Sequence, residues 1–157
     1  MKEKDIITRI KVAEYDELDD RRRALVDKAR RSTYRSYAPY SRFSVGAAIE
    51  LDNGETVCGA NQENAAFSSG TCAERSAAFY AHAQFPDAAF RTIAIAARDT
   101  DGNEVAEPIS PCGACSQALM EYEKLAGHDV EVILVGAGKI YILPSVHSTL
   151  PLTFSEF

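Results

Sequence analysis

A single-domain α/β sandwich is the fold class this chain predicts, on three observations. Its segments alternate in the order helix, hairpin, helix, strand, helix, strand. The stretch 93-IAIAA-97 is an uninterrupted apolar run, as expected of a strand covered on both faces. And 157 residues, 46% hydrophobic and 25% charged, suffice for one domain with a sizeable core.

Taken in order, residues 5–15 (DIITRIKVAEY) suit either a strand or an extended arm. A helix is predicted over 18–37, with Asp19 or Asp20 as its N-cap and Pro39 as its stop signal. Residues 43–51 and 55–61 read as two strands joined by the turn 52-DNG-54. Ser69 or Thr71 can cap a helix that starts near Cys72 and runs to about Gln84. The strand at 93–97 leads into the turn 99-DTDGN-103. Pro111 suits the first turn of a helix that continues past Leu119 to about Lys124. Residues 130–135 then form a buried strand and 140–143 another.

The net charge of −6, from 23 acidic and 17 basic residues, argues against nucleic acid and anionic membranes as partners. The basic residues Arg21, Arg22, Arg23, Lys28, Arg30, Arg31 and Arg35 crowd the first helix, but Asp16, Glu17, Asp19, Asp20 and Asp27 offset them. A solvated helix face explains that cluster better than a phosphate site. No apolar run approaches the ~20 residues a membrane span needs, and the N-terminal stretch has no signal-peptide apolar block. The expected compartment is the cytoplasm, where four cysteines read as metal ligands or reactive thiols rather than disulfides.

Cys112-Gly-Ala-Cys115 by itself fits a redox dithiol, half a zinc site, or chance. Cys72 adds a third thiol, again at a predicted helix start, where the macrodipole favours a thiolate by ~0.3–1 kcal/mol. Three thiolates leave one of zinc's four positions open, which marks a catalytic rather than a structural site. A closed Cys₄ site would require Cys58, which lies inside a predicted strand and reads as a small core hydrophobe. Glu74, two residues after Cys72, can reach a metal-bound water without being a ligand and move its proton. Arg75 can donate hydrogen bonds to the thiolates and offset their charge, with Gln117 as a further donor. His82, His128 and His147 fall in no ligand spacing.

The motif C-A-E followed by P-C-x-x-C is the Cys₃ form of the zinc deaminase signature. With 37-YAPYSRFSVGAAI-49, 61-NQENAAFSSGTCAER-75 and 110-SPCGACSQ-117, the chain closely resembles the small homotetrameric cytidine deaminases. The resemblance implies a three-layer α/β/α sandwich with a mixed sheet in residues 18–157, and leaves residues 1–17 as an extension of unknown role. It implies hydrolysis of cytidine and 2′-deoxycytidine to the uridine nucleosides, with one Zn²⁺ per chain on Cys72, Cys112 and Cys115 and Glu74 as proton shuttle. By the same resemblance Asn61 and Glu63 hold the ribose hydroxyls, Phe43 packs on the pyrimidine, and the backbone of Ala73 and Ser110 contacts the base. The family's C-terminal leucine-proline segment carries an aromatic that reaches a neighbouring subunit's site in a homotetramer; 150-LPLTF-154 would supply Phe154 for it, with 143-LPSVH-147 as the competing alignment. Phe67 stands where the family often has tyrosine, and Gln62 where an apolar residue is usual. The competing readings are a deaminase of a related nucleoside such as blasticidin S, a non-catalytic zinc module closed by Cys58, and a metal-free redox dithiol protein. Asn61 and Glu63 argue against the first, and Glu74 has no task in the second.

Overall fold

In the computed structural model, which describes residues 1–154, the strands are β1 (Lys11–Ala13), β2 (Ser44–Leu51), β3 (Thr56–Ala60), β4 (Phe90–Arg98), β5 (Glu131–Val135) and β6 (Ile140–Leu143). The helices are α1 (Asp20–Ser32), α2 (Ala73–Gln84) and α3 (Gly113–Ala126). The strands form one mixed sheet in the order β1-β6-β5-β4-β2-β3, with β4 and β5 parallel and the other pairs antiparallel.

This topology determines where the helices start. β2 is antiparallel to both β3 and β4, so β3 and β4 run in the same direction. α2 follows β3 and α3 follows β4, and the two crossovers step across the sheet in the same sense. Right-handed crossovers of that kind put both helices on one face, with their N-termini at one end of the sheet.

Side-chain alternation separates the two faces. Ala47, Ile49, Ile93, Ile95, Val132 and Leu134 are buried with Ala77, Ala81 and Leu119 of α2 and α3. Their neighbours Ala48, Ala94, Ala96, Ile133 and Val135 pack instead with Leu25, Val26 and Ala29 of α1. The result is the three-layer α/β/α sandwich.

Two glycines let the layers approach. A Cβ on Gly46 would sit 2.3 Å from the Ala29 carbonyl oxygen of α1, and one on Gly59 would sit 2.5 Å from the Ala77 nitrogen and 2.7 Å from the Ala73 oxygen of α2. Gly59 therefore admits the first turns of α2 against β3.

Several predicted boundaries shift for local reasons. α1 is capped by Asp19, whose side chain accepts from the Arg22 N–H at 2.8 Å, but it ends at Ser32 rather than 37. Ser32 and Thr33 turn their hydroxyls back onto the carbonyls of Lys28 and Arg30, and the chain tightens into a 3₁₀ turn, Thr33–Arg35. β4 extends on both sides of the expected 93–97 because β2 pairs along its length. Of residues 5–15, only 11–13 become a strand, pairing with β6 as the sheet's outer edge, and a 3₁₀ turn follows at Tyr15–Glu17. Four of the basic residues of α1 are engaged in ion pairs: Arg21 with Glu50, Arg22 with Asp19 and Glu131, Arg23 with Asp20, and Arg30 with Glu104. Among the described residues no helix is long and apolar enough to cross a membrane.

Cys58 is exposed, contrary to the core reading. It pairs with Ala48 and so faces the α1 side of the sheet, on the edge strand β3.

Glu123 of α3 is buried, and its carboxylate accepts from the backbone N–H groups of Val130 (2.9 Å), Val146 (2.7 Å) and His147 (3.3 Å). It thereby ties α3 to the start of β5 and to the 3₁₀ turn Val146–Thr149. Removing the carboxylate in Glu123→Ala strands these donors, and chemical denaturation should register a loss of about 3 kcal/mol. Gly59→Ala should lose ~1–3 kcal/mol through overpacking and also bind less than one zinc per chain, because α2, which carries Cys72 at its start, must back away from β3. Full metal content in that variant would show that the close approach does not set the site.

Candidate active site

Cys72 and Cys112 are themselves the N-cap residues of α2 and α3, with extended backbones (ψ 157° and 160°). The caps expected at Ser69 or Thr71 are not used, and Pro111 lies one residue before the cap instead of in the first turn. A thiol takes the place of the usual hydroxyl acceptor: the Cys112 sulfur accepts from the Cys115 N–H at 3.4 Å. Cys115 lies in the first turn of α3 and is buried, which brings its sulfur to the same point.

The Cys72 and Cys112 sulfurs are 4.0 Å apart, and all three sulfurs lie within 4.8 Å of one another. Tetrahedral zinc with Zn–S bonds of ~2.3 Å separates its sulfurs by about 3.8 Å, so the cluster fits that ion closely. Cys72, Cys112 and Cys115 are placed to hold zinc. Cys58 lies apart from them on β3, which disfavours a closed Cys₄ site, and no histidine joins the cluster among the described residues.

The charges around the cluster are graded. Hydrogen bonds from the Cys115 thiol, then from Arg75 and Cys112, lower the Cys72 thiol to about 5. The Arg75 Nη2 donates to the Cys72 sulfur at 3.8 Å. Cys115 shifts the opposite way, held protonated by its bond to Cys72 and by burial. Glu74, 4% exposed, is raised above the ordinary carboxylate range, first by burial and also by the negative charge on Cys72. A carboxyl group with increased proton affinity thus stands beside thiols, one of which readily ionises.

Gln117 does not serve the thiolates. Its Nε2 donates to the Phe154 carbonyl at 2.7 Å and its Oε1 accepts from the Phe154 N–H at 3.0 Å, so this side chain clamps the C-terminal segment. Turning about one helical turn beyond Cys112, it meets the returning chain rather than the sulfurs. The Phe154 ring is 68% exposed.

A cavity of about 310 Å³ extends from Cys72 past Asn61 and Glu63 to Tyr40 and Phe67. The Asn61 amide is held on three sides: Oδ1 accepts from Ser36 Oγ (2.6 Å) and the Val45 N–H (2.8 Å), and Nδ2 donates to the Phe43 carbonyl (2.9 Å). Glu63 accepts from the backbone N–H groups of Tyr40 (2.9 Å) and Ser41 (3.2 Å), and hydrogen bonding, led by the Ser41 side chain, holds its carboxyl below the usual carboxylate range. Phe43 is half-buried and meets Asn61 through its carbonyl; Phe43, Ala73 and Ser110 are not among the cavity's lining residues. Tyr40 and Phe67 line its outer end, their rings edge to face at 6.1 Å. Sequence reasoning did not assign Tyr40 to the site. The available signal was an aromatic in the Pro/Ser loop 38-APYS-41, where no amphipathic element could bury it.

The family model for the cytidine and deoxycytidylate deaminase zinc-binding region matches residues 19–126. A cytidine deaminase of Sporosarcina psychrophila is 40% identical over 98 residues, 62% of this chain and 67% of the relative. One from Halalkalibacterium halodurans is 38% identical over 100 residues, 64% of this chain and 70% of its own. A crystal structure of cytidine deaminase from Burkholderia pseudomallei superposes with a TM-score of 0.71 at 35% identity, covering 83% of this chain and 97% of that one. The Mycobacterium tuberculosis cytidine deaminase structure gives 0.66 at 28% identity, covering 88% and 100%.

The geometry makes Arg75 responsible for part of the ease with which Cys72 ionises. In metal-free Arg75→Gln the thiolate absorbance should titrate at higher pH than in the wild type, because a cation that favoured the thiolate is gone. Competition with a chelating dye should show zinc held about 10–100-fold less tightly. An unchanged titration would exclude Arg75 from the electrostatics of the cluster.

Proposed function

This chain belongs to the cytidine and deoxycytidylate deaminase family, and on that premise we propose that it hydrolyses cytidine and 2′-deoxycytidine to the corresponding uridine nucleosides and ammonia. The observation that carries the reading is the three-sulfur cluster with a buried carboxyl two residues from one of its ligands. Zinc held by Cys72, Cys112 and Cys115 supplies the Lewis acidity that makes water nucleophilic at neutral pH.

The chain's own residues do the rest. Glu74 accepts one proton from the attacking water and delivers it to N3 of the cytosine ring as the water oxygen bonds to C4; it then passes the remaining hydroxyl proton to the C4 amino group, which leaves as ammonia as the C4 carbonyl forms. Its burial supports this role, because a carboxyl of raised proton affinity is the better acceptor for the water's proton. The Asn61 amide and the Glu63 carboxylate offer the cavity they both line a donor and an acceptor, which suits a sugar hydroxyl able to do both. Phe43 against the base, and Ala73 and Ser110 as backbone contacts, remain part of the proposal.

We further assign the catalytic domain to residues 18–157, with the N-terminal extension adding β1 to the sheet edge. In the homotetramer proposed from the family resemblance, the exposed rings of Phe67, Phe79, Tyr80 and Phe154 are candidates for subunit contacts. Three reduced thiols as ligands support a cytoplasmic location.

The deciding assay follows the loss of cytidine absorbance with wild type and Glu74→Gln, zinc being measured in both. The variant should keep one zinc per chain and lose about a hundredfold to ten-thousandfold in kcat. Zinc bound without turnover in the wild type would end the enzymatic reading.

A further inference from the structure

Ser36 stands outside every motif considered above, at the end of the 3₁₀ turn that follows α1. Its hydroxyl is 2.6 Å from the Asn61 Oδ1, an oxygen that can only accept, so Ser36 donates. The orientation of that amide is settled by the backbone: the Val45 N–H must meet Oδ1 and the Phe43 carbonyl must meet Nδ2. With Val45 and Ser36 both donating, the two lone pairs of Oδ1 are spent. Nδ2 gives one hydrogen to Phe43 and keeps the other for a ligand in the cavity that Asn61 lines.

We propose that Ser36 is a positioning residue for sugar recognition: its hydroxyl saturates the Asn61 oxygen, so that the amide meets the ligand as a donor only. This rests on the reading that Asn61 and Glu63 hold the sugar hydroxyls. The division of labour is then complete. Asn61 donates, Glu63 accepts, and a single hydroxyl satisfies both. Hydrogen bonds into Oδ1 also polarise the amide and strengthen the remaining N–H as a donor. Without Ser36 a lone pair of Oδ1 is freed and takes up water, and the amide loses one of its three restraints.

The test compares wild type, Ser36→Ala and Ser36→Thr, measuring kcat and KM for cytidine and the inhibition constants of uridine and 2′,3′-dideoxyuridine. The second inhibitor keeps the base and lacks both ring hydroxyls. Ser36→Ala should raise the KM for cytidine and the inhibition constant of uridine by about fivefold, the size of one neutral hydrogen bond, with the loss falling on KM rather than kcat. Its inhibition constant for dideoxyuridine should match that of wild type, and Ser36→Thr, which keeps the hydroxyl, should restore cytidine binding. Equal weakening of both inhibitors, or none of either, would overturn the role of Ser36. The underlying reading fails separately: if wild type binds uridine and dideoxyuridine equally, Asn61 and Glu63 do not hold the sugar and the proposal falls with them.

Discussion

Three sulfur atoms can share one ion only if the helices that carry them begin at the same place, and the remainder of the structure is arranged around that requirement. β2 supplies it by pairing antiparallel with strands on both sides, so that β3 and β4 deliver α2 and α3 to one end of the sheet. Gly59 then permits contact: with any side chain there, the first turns of α2 could not lie against β3. The small residues Ala73, Ala77 and Ala81 continue the close fit along the same helix. Packing around alanine and glycine is stiff because nothing long can rearrange, and a metal site needs that stiffness.

Converging helix starts also create the electrostatic setting. Each N-terminus presents free N–H groups and the positive end of a dipole, and both favour thiolates. Arg75 adds a full positive charge beside Cys72. Glu74 occupies the same first turn yet is driven the other way by burial. Environment thus shifts two acidic groups two residues apart in opposite directions, the thiol toward ionisation as a ligand and the carboxyl toward holding a proton.

The cavity beside the cluster is built from the loops flanking the β2–β3 hairpin. Asn61 bonds to Ser36, Phe43 and Val45, and Glu63 to Tyr40 and Ser41, so the side chains assigned to the sugar also hold the loop that forms the cavity wall. Binding groups fixed by several hydrogen bonds lose little freedom when a ligand arrives. The outer end, by contrast, is two solvent-exposed rings, Tyr40 and Phe67, in mutual contact.

Much of this was legible from residue types and spacings. Metal chemistry demands particular atoms, so Cys72, Cys112, Cys115 and Glu74 announced themselves, and the alternation of apolar segments announced an α/β sandwich. Other features depended on neighbours distant in the chain. Cys58 reads as core in any strand, and only its place on the sheet's edge strand goes with its exposure. Gln117 reads as a donor to sulfur, until the C-terminal segment returns to occupy both its polar atoms. Ser36 has no signal at all before the chain folds, since its importance lies in one bond across 25 positions. By itself the sequence determined which chemistry was possible, because reactivity belongs to the side chain. The tertiary structure alone decided which polar and apolar groups meet, because hydrogen bonds and burial are made with whatever the topology brings near.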